Sequence, residues 1–334
     1  MKVFTEWHHG GLFQAQVRWW EKRFNGMVFR PIGLDWAEQG YWIYSKNPDT
    51  IKQYLDPVSV KLGPEGYFYY YDNSERATQR CITLDQFKKT KFDLIVASLQ
   101  EHVAVYKRLR DEYQPQAKLI RVIGNSGELE DWETIKNVID TTKLYSPPES
   151  VNYLNINQEF DLQYFCPEEP KVFNKISNFM NCLPDSPQVS IFRELKARMP
   201  DFEFKMFGIN GDDGFIQDIQ KLGEEMRKSS FIFHVKSHGE GFGHVIHNAY
   251  AVGRPVITIK RYYQGKMAER FLTDGYSCID IDDLSPEKAI EKIRYYSLPE
   301  QLLSMSQNAR GLFDKYGDFE KDSERLKEFL KNLK

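Results

Sequence analysis

The sequence predicts an α/β protein of two domains with mostly parallel sheets. Three observations carry that prediction. Short apolar, β-branched runs alternate along the chain with stretches of helical periodicity, the pattern of βαβ units. The 334 residues suit two domains of ~100–200 residues each. A stretch with two prolines and three charges, CPEEPKV at residues 166–172, lies between strand-like runs. Proline fixes its own φ and restricts the residue before it, which suits a stiff linker.

In chain order, strands are expected at KVFTEW, MVFRPIG, FDLIVAS, KLIRVIG and VNYLNI in the first half. They are expected at KISNFM, EFKMFG, SFIFHV, PVITI and SCIDI in the second. Helical periodicity covers residues 12–24, 101–113, 188–199, 215–228, 244–252, 286–296, 299–314 and 319–332. Residues 36–90 read as an irregular insertion, in which the tract GYFYYYD favours an edge strand over an acceptor platform. The predicted organisation is an N-terminal domain over 1–166 and a second domain over 167–315. A charged amphipathic helix over 316–334 is expected to pack back on the first domain.

Composition narrows the function classes. Apolar residues make up 41% and charged residues 28%, enough for two cores. No run of ~20 apolar residues is present to span a bilayer. The start, MKVFTEWHHGG, lacks the apolar run and cleavage site of a secretory signal and reads as the first strand. The net charge of −3 opposes broad nucleic-acid binding, which needs clustered positive charge. The four cysteines are far apart and form no CxxC pair, so structural zinc is not expected. Their sparsity fits a reducing compartment, and the expected location is cytoplasmic.

Residues 230–259, SFIFHVKSHGEGFGHVIHNAYAVGRPVITI, carry the most chemistry. They read as a buried strand, a polar loop, a glycine-flanked turn, a helix and another strand. Gly241 and Gly243 let backbone approach a ligand closely. The helix from about His244 turns free N–H groups toward that glycine turn and attracts phosphate. Glu240 adds an acceptor beside those donors, which suits a sugar hydroxyl next to a phosphate. By spacing alone, a plain βα turn with packing glycines remains an equal reading. His234, His238, His244 and His247 surround Glu240, and His244 and His247 share a helix face. No carboxylate completes a ligand set at helical spacing, so no metal is expected.

This segment resembles the signature of family-4-like (group 1) retaining glycosyltransferases, which have the GT-B fold. That family shows Pro-Ser after a strand, then Glu-Gly-Phe-Gly, a helix with a second Glu, and Gly-x-Pro-Val-Ile. Here stand Lys236-Ser237, Glu240-Gly241-Phe242-Gly243 and Gly253-Arg254-Pro255-Val256-Ile257. Asp161, Phe165 and Pro167 match the family's hinge motif, RELKARMPDFEFKMFGING at 193–211 its helix and strand before the donor loop, and Gly10-Gly11 its N-terminal glycine loop. Residues 273–276 and 298–310 resemble its C-terminal pattern. The resemblance is dense over 150–315 and thin over 1–150.

The resemblance implies a GT-B fold of two Rossmann-like domains with parallel sheets facing a central cleft. It implies transfer of a hexose from a nucleotide diphosphate sugar with retention, and no metal and no cofactor. Glu240 is then expected to hold the transferred sugar, with Lys236 as the nearest cation. The backbone of Gly241, Phe242, Gly243 and His244 is expected at the sugar and diphosphate, Phe207 and Gly208 at the base, and Gly10 and Gly11 over the donor. His8, His9 and His102 are the histidines expected on the acceptor side. The expected acceptor is a glycan, a lipid-linked molecule or another acceptor that the sequence does not name.

Two departures stand out. The family's second Glu, which binds the ribose, is here Asn248. The loop that usually carries an Arg and a Lys is here NCLPDSP, without a base. Lys236, Arg254, Lys260 and Arg261 are the nearby replacements in sequence. The same departures motivate two alternatives, a non-catalytic GT-B protein that binds a sugar nucleotide or glycan, and a GT-B sugar-nucleotide epimerase.

Overall fold

The computed structural model describes residues 1–6, 9–32, 60–127, 130–180, 187–236 and 240–334. The chain divides into two compact units, one of Met1–Phe160 with Phe319–Lys334 and one of Asp161–Asp318.

The first unit contains β1 (Lys2–Thr5), α1 (Gly10–Val17), β2 (Met27–Pro31), β3 (Val60–Leu62), β4 (Phe68–Asp72) and β5 (Ala77–Ile82). It continues with α2 (Leu84–Lys89), β6 (Leu94–Ala97), α3 (Gln100–Tyr113), β7 (Lys118–Ile123), β8 (Asn137–Asp140) and β9 (Asn152–Asn155). The described strands form one sheet in the order β3-β4-β5-β2-β1-β6-β7-β8-β9. From β5 to β9 every pairing is parallel. The antiparallel strands β3 and β4 extend the β5 side.

Alternation along the strands sends neighbours to opposite faces. Val3 and Val28 join a cluster with Trp19, Trp20 and Ile120 on one face. Phe4 and Phe29 join Phe87, Phe92 and Tyr106 on the other. The terminal helix Phe319–Lys331 buries Leu326 and Phe329 in the first of these clusters. Its Asp322 accepts hydrogen bonds from the backbone N–H and side-chain amide of Asn157, at 2.9 and 2.5 Å.

The second unit contains β10 (Lys175–Asn178), α4 (Pro187–Arg198), β11 (Glu203–Met206), α5 (Ile219–Arg227), β12 (Phe231–Phe233) and α6 (His244–Ala251). Then follow β13 (Val256–Thr258), 3-10 turns at Lys260–Tyr263 and Met267–Phe271, β14 (Cys278–Asp280), α7 (Pro286–Tyr296) and α8 (Pro299–Tyr316). Its described strands are all parallel, in the order β11-β10-β12-β13-β14. Ile176, Phe192, Phe204, Phe233, Ile257 and Ile279 fill one side of this sheet against α4, α7 and α8.

Several sequence expectations are corrected. The segment 60–90 is ordered sheet and helix, not irregular, while 33–59 lie outside the described residues. The tract expected as an edge strand, β4, is flanked by β3 and β5. Helix α2 arises from a capping box, in which the Thr83 hydroxyl accepts from the Gln86 N–H and the Gln86 side chain accepts from the Thr83 N–H. Helix α5 starts at Ile219 rather than 215, because Asp218 caps it by accepting from the Lys221 N–H at 3.0 Å. The first helix continues through Arg18–Arg23 as a π-helical turn. No helix among the described residues is long and apolar enough to cross a membrane.

Candidate active site

In an open α/β sheet, ligands bind beyond the carboxyl ends of the strands, where the order reverses direction. In the second unit that point lies between β10 and β12. The residues just beyond those strand ends are Asn178 and Phe179 on one side and His234, Val235 and Lys236 on the other. Residues 181–186 and 237–239 lie outside the described residues.

Glu240 stands at this point with both carboxylate oxygens engaged. Lys236 Nζ donates to Oε1 at 3.0 Å, and His234 Nε2 lies 2.8 Å from Oε2. His234 is fully buried, while the Glu240 side chain is 18% exposed and that of Lys236 is 40% exposed. Burial opposes ionisation of Glu240. The charge and hydrogen bond of His234, followed by those of Lys236, outweigh it and hold the carboxyl well below the usual carboxylate range. An ionised carboxylate offers about four acceptor positions. Two are taken among the described residues, which leaves each oxygen room for one further donor.

Behind Glu240 the chain turns into α6. Gly243 is the N-cap with φ of +82°, a left-handed conformation, and no side chain caps the helix. A Cβ on Gly243 would meet Ala268 Cβ at 3.1 Å, so the turn Met267–Phe271 closes directly on this helix end. Phe242 is buried and stacks on the His247 ring at 3.8 Å. His247 Nδ1 lies 3.0 Å from the Gly243 carbonyl. Burial, then the positive charge of Arg270, push His247 well below the ordinary histidine range, so the ring is neutral. A carbonyl only accepts, so Nδ1 carries the proton and Nε2 is an acceptor. Asn248 is 8% exposed, and its buried Oδ1 has no hydrogen-bond partner among the described residues. Such an orphan costs about 1–3 kcal/mol.

At the ends of β10 and β11, Phe179 and Phe207 stack nearly parallel, with centroids 5.2 Å apart and an interplanar angle of 20°. Both are half-buried. Gly208 follows with φ of +144° and donates its N–H to the Gly214 carbonyl at 2.9 Å.

The first unit has its own reversal point, between β1 and β6. Glu6 follows β1 and is buried. Its Oε1 accepts from the Leu99 N–H at 2.9 Å and from the Ser98 N–H, in the segment that leads into α3. Its Oε2 lies 3.0 Å from His102 Nδ1. Each unit therefore places a carboxylate–histidine pair at its reversal point.

Comparison with solved structures decides the fold. A glycosyltransferase from Rickettsia africae superposes with a TM-score of 0.66 at 14% identity, covering 99% of both chains. Anabaena HepE, solved with UDP and glucose, gives 0.64 at 14% identity over 100% of both. An alpha-glucosyltransferase in complex with UDP and a 13-mer DNA containing an HMU base gives 0.65 at 12% identity, covering 99% of this chain and 100% of the other.

The chain has the GT-B fold.

No protein-family model matches the sequence, and no curated protein matches it.

Within this GT-B chain, Glu240, Lys236, Gly241, Phe242, Gly243, His244 and Asn248 gather at one helix end, and Phe207 and Gly208 border the same sheet edge. Gly10 and Gly11 are not a loop. They form the first turn of α1, and a Cβ on Gly10 would meet nothing within 4 Å. His9 is the exposed N-cap of α1, and its carbonyl accepts the Phe13 N–H at 2.9 Å. His8 lies outside the described residues. His102 is buried against Glu6 rather than presented to solvent.

Two of the nearby cations are committed elsewhere. Arg254 is fully buried and donates to the carbonyls of Ser229, Glu168, Val252, Gly253 and Arg227. Arg261 is exposed and pairs with Asp282 and Asp283. Sequence reasoning missed Glu6, Phe179 and the pairing of His234 with Glu240. The one available signal was that each stands at or just beyond a strand's carboxyl end. Among the described residues, no group of three His, Cys, Asp or Glu is placed to hold a metal.

Proposed function

We propose that this chain is a glycosyltransferase that moves a hexose from a nucleotide diphosphate sugar to an acceptor hydroxyl. The Glu240 carboxylate, held ionised by hydrogen bonds to Lys236 and His234 beside the glycine-capped start of α6, carries this reading. Its two remaining acceptor positions suit adjacent hydroxyls of a sugar. The α6 N-terminus suits the diphosphate through its N–H donors and dipole. The Phe179–Phe207 pair suits the base, and the orphan Asn248 Oδ1 suits a ribose hydroxyl. Two of the structural neighbours were solved with UDP, which makes uridine the first base to test.

In the proposed reaction the bond from the anomeric carbon to the donor phosphate oxygen breaks. A bond forms from that carbon to the acceptor oxygen on the same face, and the acceptor's proton passes to the leaving phosphate. Positive charge and helix dipole stabilise the departing diphosphate electrostatically, without a metal. The acceptor is a glycan, a lipid-linked molecule or another hydroxyl-bearing acceptor.

Turnover of radiolabelled UDP-glucose, with and without a glycan acceptor mixture, tests the reading. Label is expected in a larger product only when acceptor is present. The lack of a base in NCLPDSP and the Lys236–Glu240 pairing favour one rival, a sugar-nucleotide-binding protein without catalysis. Binding with no turnover for any donor and acceptor supports that rival.

A further inference from the structure

A nucleoside diphosphate at α6 brings two or more negative charges, and the loop after β10 offers no base to meet them. Arg254 and Arg261 are committed elsewhere, and Lys236 is tied to Glu240. We propose that Lys266 and Arg270, which flank the turn Met267–Phe271, supply the positive charge that holds the donor's diphosphate. This assignment rests on the donor-site reading above and deepens it.

The turn is packed onto the helix end in question. Ala268 abuts Gly243, and the Phe271 ring meets the His247 ring edge-on at 4.7 Å. Arg270 lies over Phe271 at 5.3 Å and over Tyr316 at 5.6 Å, and that Phe271 ring is the one packed against His247 of α6. Its charge is felt by His247 within that helix. Lys266 is half-buried, and Nζ donates to the Tyr262 carbonyl at 2.5 Å. Among the described residues it has no carboxylate in ion-pair range. Burial lowers its ammonium below the ordinary lysine range while the Glu240 charge acts to raise it, which places Lys266 in the electrostatic neighbourhood of the site. Glu269, between the two cations, turns back to accept the Gly265 N–H at 3.0 Å.

An independent observation points to a ligand at this helix end. Asn248 Oδ1, on the second turn of α6, is buried and lacks a donor among the described residues. A polar ligand seated at the start of α6, neutralised by Lys266 and Arg270, accounts for both the orphan acceptor and the two cations. The charge that the sequence of the loop after β10 lacks is then delivered from the segment after β13.

The test is binding of UDP and of uridine to the full chain, by calorimetry and NMR titration, for the wild type and for Lys266→Gln and Arg270→Gln. Each substitution is expected to weaken UDP roughly 10–100-fold, the range for losing a charge-assisted hydrogen bond. Uridine affinity is expected to stay within about twofold, because uridine carries no phosphate to feel the lost charge. Retained uridine binding also shows that the variant is folded. Lys266→Gln, in a half-exposed loop, carries the test alone if Arg270→Gln loses its fold. UDP binding by both variants at wild-type strength overturns the assignment. Failure of the wild type to bind UDP, ADP, GDP or any other nucleoside diphosphate overturns the donor reading itself, a result distinct from the first.

Discussion

Glu240→Gln lowers transfer by a factor on the order of 10²–10³, the usual loss for one preorganised electrostatic group. The substitution keeps the shape but removes the charge that His234 and Lys236 converge on. A neutral amide also places a donor where a sugar hydroxyl needs an acceptor. The loss is expected in kcat/KM for the sugar donor, with affinity for UDP changed far less, because UDP has no transferred sugar. The pH dependence follows from the sign of the shift. The folded pKa is depressed, so the stability contributed by the ion pairs is complete above the ordinary carboxylate value, about 4.3. It is lost as pH falls below that value through the depressed one. A pH–rate profile between pH 5 and 8 should therefore show no limb that disappears in Glu240→Gln. A variant retaining full transfer would remove Glu240 from the mechanism.

Arg254→Ala is expected to cost about 3–5 kcal/mol of stability, the range for breaking a buried charged network. The fully buried guanidinium satisfies carbonyls from Arg227, Ser229, Glu168, Val252 and Gly253. Burial lowers its pKa to about 10, the nearby Glu168 charge works in the other direction, and the group stays charged at neutral pH. Removing it leaves those carbonyls without their donor. The melting temperature should fall by roughly 10 °C. Arg254→Lys rescues little, since one ammonium does not reproduce a planar fork of five donors. A fall of less than about 2 °C would mean that water replaces the guanidinium easily.

The contrast between Glu240 and Arg254 shows what the sequence made legible. Both stand within one motif, 14 residues apart, and both looked like donor-site groups. Glu240 follows the strand β12, and Arg254 precedes the strand β13, so the two belong to opposite ends of a parallel sheet. Spacing along a chain does not reveal that difference, but strand direction does. The glycines were legible for a related reason. Gly243 needs a left-handed backbone and a clear approach, which only glycine tolerates well.

The alternating elements were legible because buried parallel strands write themselves as short β-branched runs. The strand β8 was missed because NVID is brief and sits among polar residues. The strand β4 was read as an edge because its half-buried aromatic pattern resembles one, and the strand beyond it, β3, is only the brief VKL. Glu6 and His102 meet across 96 positions of sequence. That pair is created by topology alone, when β1 and β6 become neighbours. The cations Lys266 and Arg270 escaped notice for the same reason, since packing of a later turn on α6 brings them to the helix end.

Thermal denaturation of the wild type and of Glu240→Ala, with and without UDP-glucose, tests the central claim most directly. A ligand present at 100 times its Kd stabilises the native state by about 2.7 kcal/mol. The account predicts a clear rise in melting temperature for the wild type with UDP-glucose. It predicts a smaller rise for Glu240→Ala, equal to that given by UDP alone. Equal shifts with UDP-glucose in the two proteins, or no shift in either, would contradict the assignment of Glu240 to the sugar of a nucleotide donor.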